Sequence, residues 1–134
     1  MAVMLYWDDD EQTILRFDFE ANWTWEDYYR VHPQAREMAL SKDHTVYKLV
    51  DIQRSTNAPP NALTHLRNLA DKQEPNAGIT IFVTRNRFLR VLYQTGMALK
   101  GNFAKYYRVA STIEEAYDMI ADAKIVEAGL TPEA

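Results

Sequence analysis

Ile79-Thr-Ile-Phe-Val-Thr-Arg-Asn-Arg-Phe-Leu-Arg90 passes directly from a continuous apolar run into a helix start. The run Ile79–Thr84 has the composition of a strand covered by other layers, and Asn86 is a residue type that caps a helix. The helix predicted after it extends to about Lys100, where Gly101 and Asn102 end it. A further strand follows over Tyr106–Ala110. Ser111, with Glu114 three residues on, has the pattern of a capping box and opens a last helix through about Val126.

Outward from this core the same alternation continues towards the amino terminus. Ala2–Trp7 and Thr13–Phe19 read as two strands joined by the acidic turn Asp8, Asp9, Asp10, Glu11, which makes a hairpin. Thr24 caps a first helix with Asp27 at its third position, and Trp23 is placed to staple onto Tyr28. Pro33 removes one backbone hydrogen bond from that helix and predicts a kink. Val46–Ile52 is a third strand. The loop Gln53–Pro60 leads into a second helix, with Ala62, Leu63, Leu66, Leu69 and Ala70 as its buried stripe. The string is β-β-α-β-α-β-α-β-α, and the α/β alternation after the hairpin implies right-handed crossovers and a mixed sheet whose later strands are parallel.

Length and composition bound the rest. A chain of 134 residues, 47% hydrophobic and 25% charged, fits one domain over 1–134, with a core at 2–126 and a loose tail at 127–134 after Gly129 and Pro132. No apolar run approaches the roughly 20 residues that span a bilayer, and no signal-peptide pattern opens the chain, so a cytoplasmic location is expected. The absence of cysteine excludes disulfides, thiol nucleophiles and thiolate metal sites. The net charge of −4 is unevenly spread: residues 1–51 hold 5 basic and 11 acidic side chains, residues 52–110 hold 9 and 2, and residues 111–134 hold 1 and 6. The basic middle is either neutralised by the acidic ends or attracts an anion.

Strand order, length and the closing stretch Arg108-Val-Ala-Ser-Thr-Ile-Glu-Glu-Ala116 resemble the STAS domain, in particular SpoIIAA-like proteins related to anti-sigma-factor antagonists. The resemblance covers about residues 2–126 and implies a SpoIIAA-like fold. It also implies an interaction or sensing module, since related domains bind nucleotides, lipids or small hydrophobic molecules. In the phospho-regulated branch, an Asp-Ser-Ser/Thr-Gly-apolar motif opens the second helix. Here that position reads Pro59-Pro-Asn-Ala-Leu63, without a hydroxyl, which leaves Ser55 and Thr56 earlier in the loop as the fallback positions for phosphorylation.

Chemistry-bearing residues do not converge in the sequence. His32, His44 and His65 share no metal-ligand spacing, the acidic turn lacks the glycine and distal glutamate of a calcium loop, and no phosphate-binding glycine motif occurs. No catalytic, cofactor or metal site is predicted, the chain is read as a non-enzyme, and nucleic-acid binding is not expected. Two helices carry surplus apolar surface. On the first, Tyr28, Val31, Ala35 and Met38 adjoin Trp25, Tyr29, His32, Arg36 and Leu40, an arc of about 200°. On the third, Phe88, Leu92, Thr95 and Leu99 are read as the core stripe. Leu89, Tyr93 and Met97 are read as a second stripe beside Gly96, covered by the same surface of a second subunit in a homodimer.

Arg85, Arg87 and Arg90 flank that second stripe and suit an acidic head group. The function expected is a non-catalytic regulatory or protein-interaction module. The alternative is a carrier of a small hydrophobic anion, lipid-like or fatty-acid-like, for which a pocket of several hundred cubic ångströms is the mark.

Overall fold

In the computed structural model, which describes residues 2–129, β1 (Val3–Trp7) pairs antiparallel with β2 (Ile14–Phe19), and β2, β3 (Val46–Asp51), β4 (Ala77–Val83) and β5 (Tyr107–Ala110) run parallel. The sheet order is β1-β2-β3-β4-β5, so every strand lies beside its neighbour in sequence. The helices are α1 (Trp25–Leu40), α2 (Ala62–Ala70), α3 (Arg87–Ala98), α4 (Gly101–Tyr106) and α5 (Ile113–Glu127). Right-handed crossovers in this order place α1, α2 and the α3–α4 pair on one face and leave α5 for the other. The cores agree: Leu15, Phe17, Phe19, Val46 and Val50 pack with Val31, Ala35 and Ala39 of α1, while Ile14, Leu49, Ile81 and Val83 pack with Ala116 and Ile120 of α5. The alternation of β2, with Leu15, Phe17 and Phe19 on one face and Ile14, Arg16 and Asp18 on the other, serves both layers.

Thr24 caps α1 in a capping box with Asp27, as the spacing requires, and Trp23 sets its indole edge-on to Phe19 and Trp25. The helix runs unbroken through Pro33, which faces solvent. At α5 the cap is Thr112, whose hydroxyl accepts from the Glu115 backbone, while the Glu115 carboxylate accepts from the N–H of Ser111. The expected Ser111–Glu114 box is therefore displaced by one residue. Two further differences concern α3. The segment after it coils into the short helix α4, whose Phe103 is buried with Ala70 and Tyr107. That ring takes the side of α3 bearing Leu89, Tyr93, Gly96 and Met97, so the stripe expected to await a second subunit is covered by its own chain. Phe88 and Leu99, expected in the core, face outward. Residues 130–134 of the expected tail lie outside the described residues, and Glu127 belongs to α5.

The acidic turn is structural. Asp9 accepts from the backbone N–H of Thr13 and of Ile14, both at 2.9 Å, and from the Thr13 hydroxyl. Partial burial opposes its charge, but these bonds outweigh the burial and hold the carboxyl below its ordinary value. A depressed carboxyl contributes stability above its unfolded value of about 4 and loses it as pH falls through the folded value. Asp9→Asn is expected to cost on the order of 1 kcal/mol near neutral pH. It is also expected to flatten the acid limb of stability below about pH 4, read from urea midpoints across pH.

Candidate functional site

The covered face of the sheet is not evenly filled. The helix α2 leans on α4 and α3, with Asn102 Nδ2 donating to Asp71 at 3.0 Å and Tyr107 Oη donating to the Leu66 carbonyl at 2.9 Å. Between α1 and α2 the contact is made by side chains. The indole of Trp25 stacks on the His65 imidazole at 4.5 Å, Tyr29 Oη lies 2.7 Å from His65 Nδ1, and Arg36 Nη1 donates to the Lys72 carbonyl at 3.3 Å. Beneath this bridge is a cavity of about 110 Å³. Its floor is the register pairs Lys48–Thr80 and Val50–Phe82 of β3 and β4. Its walls are Tyr28 and His32 of α1, Leu66 and Leu69 of α2, Leu89, Leu92 and Tyr93 of α3, and Phe103.

One end of this apolar cavity is charged. Lys48 Nζ lies 2.7 Å from Glu74 Oε1, and Arg36 Nη1 lies 3.3 Å from Glu74 Oε2. The Glu74 side chain is only 3% exposed and that of Lys48 13%. The Lys48–Glu74 contact is an ion pair without hydrogen-bond alignment, which leaves Oε1 without a directed donor. Thr80 Oγ1 and Trp25 Nε1 are also buried with no partner, although buried polar atoms are almost always paired. Burial disfavours the charged forms of the tyrosines and the histidine around them. Burial, helped by Glu74, pushes the Tyr28 hydroxyl far above its ordinary value, and burial alone raises Tyr93 against the opposing charge of Arg108. Burial lowers His32, and the cations Lys48, Arg36 and Lys72 lower it further against the pull of Glu74. Tyr28 Oη and His32 Nδ1 meet at 3.1 Å.

The residues singled out in the sequence are divided by this geometry. Trp25 lines the cavity, Tyr29 holds the bridge over it, and Leu89 and Tyr93 line its inner wall, while Met97 packs behind Phe103. The arginines do not approach it: Arg85 donates to the Ser111 carbonyl at 3.3 Å, Arg90 to the Ser111 hydroxyl at 2.8 Å, and Arg87 faces solvent. The hydrogen bonds of Arg85 and Arg90 serve the start of α5, and the cations near the cavity are instead Lys48, Arg36 and Lys72. Ser55 is 3% exposed and accepts the indole N–H of Trp23 at 2.9 Å, which removes it from the surface a kinase reaches. Thr56 is exposed, and its carbonyl accepts from Asn86.

The residues that sequence reasoning missed are Lys48, Glu74, Thr80 and His65. Lys48 left a trace: in Val46-Tyr-Lys-Leu-Val50 it occupies the same face as Val46 and Val50, and a lone charge on a covered strand face calls for a partner.

No protein-family model matches the sequence, and comparison with curated proteins finds no match. Among solved structures, the chain is similar to an uncharacterized protein from the DUF3478 family with a SpoIIAA-like fold, from Shewanella loihica PV-4. The TM-score is 0.62 with 14% identity, over 88% of this chain and 91% of that one. No helix among the described residues is long and apolar enough to cross a membrane. The five-stranded mixed sheet with its antiparallel amino-terminal hairpin, and this likeness in three dimensions, give the chain a SpoIIAA-like fold.

Proposed function

We propose that the protein is a non-catalytic regulatory module whose input is a small, mainly apolar acid bound in the cavity between α1 and α2. The observation that carries this is the juxtaposition of an apolar chamber with the Lys48–Thr80 end. There a hydroxyl without a partner lies beside cations that outnumber the one carboxylate. A carboxylate head at that end would take the Thr80 hydroxyl and the Lys48 ammonium as donors, and the ring or chain would lie on Val50, Phe82 and Leu66.

Size narrows the class. A chamber of about 110 Å³ falls below the pockets of roughly 300–1,000 Å³ that hold drug-sized ligands. It is on the scale of an engineered cavity of roughly 150 Å³ that admits benzene. A monocyclic or short-chain acid fits this arrangement of side chains, and a long acyl chain does not.

Phenylacetate and hexanoate are the probes. Titration calorimetry, with tryptophan fluorescence alongside, is expected to give a Kd of about 0.1 mM for phenylacetate, a modest yield per atom for a ligand of that size. Thr80→Val and Phe82→Trp, which remove the hydroxyl and fill the chamber, are each expected to weaken it by about tenfold or more. Equal binding of toluene and phenylacetate would remove the acidic head from the reading, and no binding of either acid would overturn it.

A further inference from the structure

Two indoles line the cavity, edge-on to one another at 4.8 Å, and the chain satisfies only one of them. Trp23 Nε1 donates to Ser55 Oγ at 2.9 Å, whereas Trp25 Nε1 is buried and donates to nothing. The polar groups beside it are engaged elsewhere. Ser55 takes the Trp23 N–H. His65 stacks face to face on the Trp25 ring, with 22° between the planes, and its Nδ1 meets Tyr29 Oη. A buried donor without an acceptor carries the full cost of losing water, and an oxygen brought to it by a ligand removes that cost.

This indole and the Thr80 hydroxyl, also buried without a partner, belong to opposite ends of the chamber. Thr80 pairs in register with Lys48, near the start of β3. Trp25 opens α1 beyond the far end of β2, where Trp23 lies edge-on to Phe19, the last residue of that strand, at 4.6 Å. Asp18 pairs with Asp51, so Phe19 is level with Ile52, which also lines the cavity. From the level of Lys48 to that of Ile52 the strand advances four residues, about 13 Å at roughly 3.3 Å each. The floor between the two levels is apolar, with Val50 beside Phe82.

We infer that the ligand carries a second oxygen, a hydroxyl or carbonyl at the end remote from its acid, which accepts the Trp25 indole N–H. This rests on the reading of the cavity as an acid site and narrows its ligand class. The acid head lies at Lys48 and Thr80, one ring lies on Val50 and Phe82, and an oxygen para to the acid arm reaches Trp25. The para-hydroxyphenyl acids are the simplest members of the class. Trp25 is then the residue that sets specificity, since a site with a buried polar group discriminates against the analogue that leaves it unpaired.

Titration calorimetry with para-hydroxyphenylacetate and para-methylphenylacetate, two acids of one shape, is the test. The wild type is expected to bind the hydroxyl acid about tenfold more tightly or better. A chamber without the indole donor prefers the methyl acid, because burying a methyl group forfeits no hydrogen bond to water. Trp25→Phe, which keeps a ring on His65, is therefore expected to reverse the order. A wild type that binds the methyl acid as tightly, or a Trp25→Phe protein that keeps the preference for the hydroxyl, overturns the inference and leaves the acid site standing. Binding of neither acid overturns it together with the reading on which it rests. The indole protons give a second readout that needs no variant. One indole N–H resonance of the wild type is expected to move downfield with the hydroxyl acid and not with the methyl acid, and the same response to both acids overturns the inference.

Discussion

Replacing Lys48 with methionine is expected to lower the unfolding free energy by about 3–5 kcal/mol, because it leaves a buried carboxylate without its nearest cation. The Glu74 side chain is 3% exposed, and the other cation on it among the described residues, Arg36, is half out in solvent at 3.3 Å. Removing one member of a buried pair forfeits the attraction and keeps the desolvation cost of the other. The companion variant separates the two contributions. Lys48→Met with Glu74→Leu removes both charges, and most of the lost stability is expected to return, since a packed apolar pair replaces an ion pair that gains little net energy. Urea denaturation measures both. A loss under about 1 kcal/mol in the single variant would mean that Glu74 does not depend on Lys48. If the cavity binds an acid, the double variant is stable yet loses its affinity, which distinguishes a fold defect from a site defect.

The second large effect is expected at Gly96. A Cβ built there would fall 2.1 Å from Phe103 Cζ and 2.4 and 2.5 Å from its two Cε atoms, so the whole leading edge of the ring is in the way. Phe103 is fixed in turn by Tyr107, edge-on at 4.8 Å, and by Ala70 and Tyr93. Gly96→Ala raises intrinsic helix propensity, which alone would stabilise by up to about 1 kcal/mol. Overpacking works against it at about 1–3 kcal/mol, and at these separations it wins. A net loss of about 1–2 kcal/mol is expected, with part of it recovered when Phe103→Leu is added. A Gly96→Ala protein more stable than wild type would show that α3 and α4 are free to slide apart.

That glycine also explains why the faces of α3 were misread. Periodicity at 100° per residue separates Leu89, Tyr93 and Met97 from Phe88, Thr95 and Leu99, but it does not say which set turns inward. The deciding element is α4, a six-residue helix that begins at Gly101 with positive φ, too short and too poorly signalled to read from its own residues. The shifted cap of α5 has a different cause. Ser111-Thr-Ile-Glu-Glu115 contains the capping pattern twice, once from each hydroxyl, and local sequence cannot choose between them. The hairpin, the strand–helix alternation and the caps at Thr24 and Asn86 were legible because each rests on neighbours a few residues apart. The charged end of the cavity was not, because Arg36, Lys48 and Glu74 come from three different elements and meet only after the sheet has formed.

The order of the sheet has a consequence for how the chain is made. No strand waits for a partner that is still to be synthesised: β2 closes on β1, and each later strand docks on the one just completed. Sheets of this kind can grow by accretion as the polypeptide emerges, each parallel pairing waiting only for the helical crossover that precedes it to close. The exception is the second face. Until α5 arrives, Leu49, Ile81 and Val83 present an uncovered apolar sheet, and α5 is sealed only when Glu127 accepts the hydroxyl protons of Thr45 and Tyr47 near the start of β3. A chain that has made its strands but not yet docked α5 therefore holds a sheet with one apolar side open to water, the form most exposed to aggregation.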